Sequence, residues 1–207
     1  MARLSKAVRD TALAESRQRL LDAAANEFAS EGYAGANINR ISLAAGFAKG
    51  TVYNYFPSKR DLMLALIDIV ACAHTEAVLQ RVESEQDPAR RLEGFFRAGF
   101  AFVEQHSAQA RVIVNTVYGP DAEIRERVYK AYERLFTWIA KDIVEAGIAR
   151  GDFQMLDTNL ATALTMTVYL GSCSQLDTKG KIWLDPSQVA HFVLDGLCAR
   201  TDSPNKI

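Results

Sequence analysis

Between residues 47 and 62 the chain reads FAKGTVYNYFPSKRDL. Lys49 supplies a mobile positive charge there, Gly50 removes the side chain that would hold the backbone away from a partner, and Thr51 offers a hydroxyl and a methyl. Tyr53 and Tyr55 carry phenolic donors, and Asn54 carries an amide that both donates and accepts. Lys59 adds a second ammonium at the start of the next helix. Such groups suit a phosphate backbone bound through charge and hydrogen bonds, and base edges read through donors, acceptors and the thymine methyl.

The elements that must hold these residues read as helices, because helical periodicity dominates and no strict apolar-polar alternation argues for a sheet. The fold class predicted is all-α. A first helix is expected over about 16–31, with Leu21, Ala24 and Phe28 on one stripe and Gly32 ending it. Asn37 can cap a short second helix bearing Ile38, Ile41 and Ala45, which stops at Gly46. A third is expected over about 49–55, where Pro57 prevents continuation. Two short helices flanking a turn with Gly46 have the dimensions of a helix-turn-helix, whose second helix enters the major groove. An ordinary hairpin with inward-packed tyrosines is the competing reading, and the exposure of Lys49, Tyr53 and Tyr55 separates the two.

Ser58 followed by Asp61 and then LMLALIDIV has the form of a capping box opening a long fourth helix that ends near Glu83. A fifth carries Leu92, Phe95, Phe96, Gly99, Phe100 and Val103, and a sixth near 109–117 breaks at YGPD. A long amphipathic helix over about 122–149 closes at Gly151. Asp157 or Thr158 opens a helix that is apolar or small on nearly every side. Asp185, with Pro186 next, opens a last helix expected to bury Val189, Phe192, Val193 and Leu197. Residues 1–12 and 201–207 read as frayed ends.

Composition bounds the rest. Hydrophobic residues are 49% of the 207 and charged residues 24%, the balance of a chain that buries a core. Residues 1–60 hold nine Lys or Arg against five acids, the remainder fifteen against twenty, so a basic end sits on an acidic body. No uninterrupted apolar run approaches the roughly 20 residues that cross a bilayer, so no membrane association and a cytoplasmic location are expected. Cys72, Cys173 and Cys198 lack disulfide or zinc spacing and are expected as reduced core residues. His74, His106 and His191 fall on separate helices without metal-ligand spacing, so no metal and no cofactor is expected.

The stretch INRISLAAGFAKGTVYNYFPSKRDLMLALI, residues 38–67, resembles the DNA-binding core of the TetR family of bacterial one-component regulators. The family pattern is matched at Ile41, Ala45, Gly46, Lys49, Gly50, Val52, Tyr53, Tyr55, Phe56 and Lys59, and the helix order extends a weaker likeness over the rest. The resemblance implies a helix-turn-helix head over 1–60 and a larger effector-binding and dimerisation body over 61–207. It implies a homodimer formed by the last two helices on a palindromic double-stranded operator. It also implies groove contacts from Lys49, Gly50, Thr51, Tyr53, Asn54 and Tyr55, with Asn37 and Lys59 on phosphates. Val52 and Phe56 would fill the head's core. The chain departs from the family at Ala48, often Ser, and at Asn37, commonly Thr.

The function expected is a transcriptional regulator, a repressor released by a small-molecule effector of unknown identity. Aromatic and polar residues of the body that could meet the effector are His74, Phe100, Asn115, Tyr118, Trp138, Thr165 and Tyr169, although stripes at helical spacing also serve as core. An effector-independent DNA-binding protein is the alternative. A helical-bundle enzyme would need a nucleophile with its base, paired acids or a metal, and no such set stands in the sequence. Arg3, Lys6 and Arg9 read equally as an arm reaching the minor groove or as a solvated tail.

Overall fold

A computed structural model describes residues 6–177 and 180–198. Among the described residues the secondary structure is helical, with two isolated bridges, Phe153 to Cys198 and Leu176 to Ile182. The chain divides into two compact units: residues 1–70 with 108–128, and 71–107 with 129–207.

The first unit opens with α1, Lys6–Gly35, interrupted at Gly32, whose φ of 69° and ψ of 172° only a glycine adopts without strain. The helix starts well before the expected Ser16, so residues 6–12 are helical and not frayed. The stretch KAVRDTA carries no periodic apolar stripe, a signal from which a helix is read. Arg3 lies outside the described residues, as do 201–207; Arg9 is exposed on the first turns of α1. α2, Ile38–Ala44, is capped by Asn37, whose side chain accepts from the N–H groups of Asn39 and Arg40. The expected seven-residue third helix is instead a four-residue 3-10 turn, Thr51–Asn54, entered through Gly50 at φ 77°. Gly50 at positive φ and Pro57 leave six residues between them, fewer than the seven expected, and the segment closes on i→i−3 bonds, Tyr53 N–H to the Gly50 carbonyl and Tyr55 N–H to that of Val52.

α3, Lys59–Val82, starts on the expected box: the Ser58 hydroxyl accepts from the Asp61 N–H at 3.1 Å and donates to its carboxylate at 2.7 Å. The helix is long and apolar enough for a membrane span, and half of that stretch is buried inside the protein, as in a core helix. Its first twelve residues belong to the first unit. There α5, Ser107–Val117, and most of α6, Ala122–Ala131, complete the packing. Arg127 of α6 pairs with Asp68 of α3, and Arg60 with Glu123 and Asp121. Leu20, Leu21, Phe28, Ile41, Leu62, Leu66, Ile67 and Ile124 of this unit are essentially solvent-free.

The second unit takes the rest of α3, then α4, Pro88–Gln105, capped by Asp87. The long helix expected over 122–149 is divided. Tyr132 breaks it with φ −95° and ψ 5°, followed by α7, Glu133–Trp138, a π-helical segment, Ile139–Glu145, and α8, Ala146–Arg150. In the π-helical segment the carbonyl of Asp142 accepts from the Arg91 guanidinium at 3.1 Å. α9, Thr158–Cys173, is capped by Asp157, and α10, Pro186–Leu197, by Asp185. α10 lies against α4 and α9 against the π-helical segment.

Two expectations of this unit are corrected. Phe192 was expected in the core and is 72% exposed, and α9, expected to give no face to water, exposes Leu160 and Leu164 at 57% each. Both helices pack one apolar stripe inward while the opposite stripe, also apolar, has nothing over it among the described residues. The cysteines also differ: Cys173 is buried, whereas Cys72 and Cys198 are exposed, all three free.

Candidate nucleic-acid interface

The candidate DNA-contacting residues gather on one short stretch of the first unit, and the buried residues between them explain how. Val52 and Phe56 are buried at 1% and 3% exposure, anchoring the 3-10 turn from beneath. The Val52 N–H donates to the hydroxyl of Ser42, itself fully buried on α2, at 3.3 Å. Lys49, Tyr53 and Asn54, which flank these anchors, are exposed, Tyr53 at 53%, and Gly50, Thr51 and Tyr55 are half-buried. Tyr53 is therefore not packed inward as an ordinary hairpin requires, whereas Tyr55 lies part-way in, its ring 6.3 Å from that of Phe47.

Gly50 has a second reason for being glycine. A Cβ there would meet nothing within 4 Å, so space does not demand it, but its φ of 77° does. Gly46, at φ 79°, turns the chain out of α2, with its N–H on the Leu43 carbonyl and the Phe47 N–H on that of Ser42, both at 2.9 Å. α2, a glycine turn and a short outward-facing helical turn together form a helix-turn-helix.

Asn37 and Lys59 occupy more committed positions. Asn37 is exposed, with its side-chain oxygen engaged as the α2 cap and its own N–H held by Glu27 at 2.8 Å. Lys59 donates to the carbonyls of Ala34 and Ala36, at 3.0 and 3.1 Å, and lies 5.1 Å over the ring of Tyr33. An ammonium has three donors, so one is left for an anion.

The residues named for the effector divide among separate places. His74, Phe100 and Tyr169 come together inside the second unit: the Tyr169 phenol is 2.8 Å from His74 Nε2, and its ring centroid is 6.0 Å from that of Phe100. Thr165 is buried on the same helix as Tyr169, with its hydroxyl on the Ala161 carbonyl. Trp138 stands apart, in a polar recess with Glu76, Arg91 and Arg134. Asn115 and Tyr118 belong to the first unit, Asn115 beside a cleft of about 300 Å³ with Phe28, Tyr33 and Met63, and Tyr118 63% exposed. Sequence reasoning missed two members of the interior cluster, Tyr132 and Cys173. Cys173 stands one helical turn from Tyr169, the spacing that could have flagged it.

The cluster is electrostatically neutral. Burial pushes the His74 imidazole down to about 4, the Cys173 thiol up to about 12, and the phenols of Tyr132 and Tyr169 well above their ordinary range. Each group holds its uncharged form at neutral pH.

A helix-turn-helix of this geometry defines a DNA-binding protein, and comparison with known proteins gives the family. Residues 20–66 match the model for bacterial regulatory proteins of the tetR family, and residues 85–199 match that for the tetracyclin repressor-like C-terminal domain. The chain belongs to the TetR family of transcriptional regulators. It is 30% identical over 132 residues to the transcriptional activator FasR of Mycolicibacterium smegmatis, a match covering 62% of this chain and only 60% of that relative. It is 27% identical over 149 residues to the repressor KstR2 of Mycobacterium tuberculosis, covering 70% and 72%. Its fold is shared by the regulator FadR of Bacillus subtilis, solved with stearoyl-CoA, at a TM-score of 0.75, 21% identity and coverage of 88% and 97%.

Proposed function

We propose that this regulator is a cytoplasmic homodimer that represses transcription from a palindromic operator and is released by a small-molecule effector. The observation that carries the reading is the outward presentation of Lys49, Tyr53 and Asn54 over the buried Val52 and Phe56. In this reading Lys49, Gly50, Thr51, Tyr53, Asn54 and Tyr55 enter the major groove, while Asn37 and the third donor of Lys59 meet phosphates. Residues 1–60 act as the head and 61–207 as the body.

Dimerisation is supported by the uncovered apolar stripes of α9 and α10. Leu160, Leu164, Val168 and Phe192 border a groove of about 570 Å³ there, and paired recognition elements would then fall on half-sites about 34–36 Å apart. The effector would present an apolar portion with a polar group met by His74 and Tyr169. The stearoyl-CoA held by FadR makes a long acyl thioester the first candidate. Effector-independent binding is the second reading, favoured by one observation: His74, Phe100 and Tyr169 already satisfy one another.

The test is selection of bound sequences from a randomised duplex pool, followed by titration of the complex with stearoyl-CoA and with free CoA. Enrichment of a palindrome and its release by the acyl thioester alone is expected. No enrichment at low salt overturns the DNA-binding reading; binding that no acyl-CoA alters favours the second.

A further inference from the structure

α2 is tied to α1 at both ends by a charged side chain. At its N-terminal end one carboxylate oxygen of Glu27 accepts from the Asn37 N–H at 2.8 Å and from Arg40 Nε at 2.9 Å. At its C-terminal end the guanidinium of Arg19 donates to the carbonyl of Ala45. Arg19 and Glu27 stand eight residues apart on α1, as do Asn37 and Ala45 across α2. At 1.5 Å per residue the first separation is about 12 Å, enough to span the shorter helix. The signs also match: a carboxylate meets the positive end of the α2 dipole and a guanidinium the negative end.

Arg19 reaches further. Its guanidinium lies 4.7 Å over the ring of Phe47, and that ring stands 6.3 Å from Tyr55. A Cβ on Gly46 would fall 2.5 Å from Arg19 Nη2, so the turn leaves room beside the guanidinium only for a hydrogen. A chain of contacts, Arg19 to Phe47 to Tyr55, therefore runs from α1 to the residue that closes the 3-10 turn.

We infer that Arg19 and Glu27 are positioning residues for operator recognition, bracing α2 and the 3-10 turn at one angle without touching DNA themselves. This rests on the DNA-binding reading above. The work at position 19 needs a planar cation that stacks and donates at once, which lysine does not supply.

The experiment uses the full chain, the duplex that wild type enriches, and a scrambled duplex. Affinity, its salt dependence and thermal unfolding are measured for Arg19→Lys, Arg19→Gln, Glu27→Gln, Phe47→Leu and the double variant Arg19→Lys with Phe47→Leu. Arg19→Lys is expected to lose about 10-fold or more on the operator, comparable with a mismatched base pair. Binding to the scrambled duplex and the salt slope should hold, and Arg19→Lys with Phe47→Leu should bind no worse than the weaker single variant. Undiminished operator affinity in both Arg19→Lys and Phe47→Leu overturns the brace. So does a salt slope smaller by about 0.9 in Arg19→Gln, which makes Arg19 a phosphate contact. Equal losses on both duplexes together with a lower melting temperature reduce Arg19 to a stability role and also overturn it. If wild type enriches no duplex, the DNA-binding reading falls first and the brace with it.

Discussion

The phenol of Tyr169 and the Nε2 of His74 meet at 2.8 Å inside a wall of rings, with the imidazole centroid 4.9 Å from Phe102 and 5.6 Å from Tyr132. The two residues are 95 positions apart and both are under 5% exposed. A neutral imidazole suits this place and an imidazolium does not, because burial penalises the charge and no carboxylate among the described residues pairs with it.

Stability should therefore depend on pH in a defined window. The folded His74 titrates near 4, below the 6.5 of an unfolded histidine, so between these values the unfolded chain binds more protons. The contribution is fully present above about 6.5 and is lost as pH falls toward 4, amounting to about 3 kcal/mol at about 1.4 per unit. Urea unfolding at several pH values, at fixed protein concentration, should show this loss in wild type. His74→Gln should flatten that part of the profile, and an unchanged profile would remove His74 from the account.

Gly99 tests how tightly the same phenol is seated. A Cβ at position 99 would fall 2.5 Å from the Tyr169 hydroxyl and 2.7 Å from its ring. Gly99→Ala should therefore displace Tyr169 and cost about 1–3 kcal/mol as overpacking, despite the better helix propensity of alanine. A melting temperature for Gly99→Ala equal to that of wild type would contradict the contact.

What the sequence disclosed and what it withheld follow from range. Asn37, Ser58, Asp157 and Asp185 were readable as caps because a cap acts within three residues, and each one accepts the hydrogen bonds expected. The anchors Val52 and Phe56 followed from the motif. The 3-10 geometry of Thr51–Asn54 did not, because apolar spacing over four residues fits either helix type. The break at Tyr132 carries no glycine or proline, so periodicity ran straight through it. The effector set scattered because its members were chosen helix by helix, whereas the meeting of His74 with Tyr169 depends on how α3 and α9 approach within the second unit. Lys59 was assigned a phosphate by motif alone; its hold on Ala34 and Ala36 is a tertiary contact that no local pattern encodes.

Lys49 and Lys59 should consequently behave differently. Lys49 is exposed, so Lys49→Gln should reduce the salt slope of DNA binding by about 0.9 and leave the melting temperature in place. Lys59→Gln should also lower stability by about 1–3 kcal/mol, because two carbonyls lose a charged donor. Fluorescence-based DNA titration at several salt concentrations, paired with thermal unfolding, separates the two effects. A stable Lys59→Gln protein would show that its contacts to the end of α1 carry little energy.

The uncovered stripes of α9 and α10 give the last expectation. Leu160 and Leu164 lie one turn apart on α9 with 57% of each exposed, and Phe192 on α10 is 72% exposed, more apolar surface than a solvated helix ordinarily shows. If a second copy covers this face, a carboxylate at its centre would be buried without a cation, at a cost of several kcal/mol per subunit. Leu164→Glu should then sediment as a folded monomer where wild type sediments as a dimer. Since one recognition element reads only a few base pairs, its operator affinity should fall at least 100-fold. Retention of the dimer by Leu164→Glu would move the subunit interface away from α9.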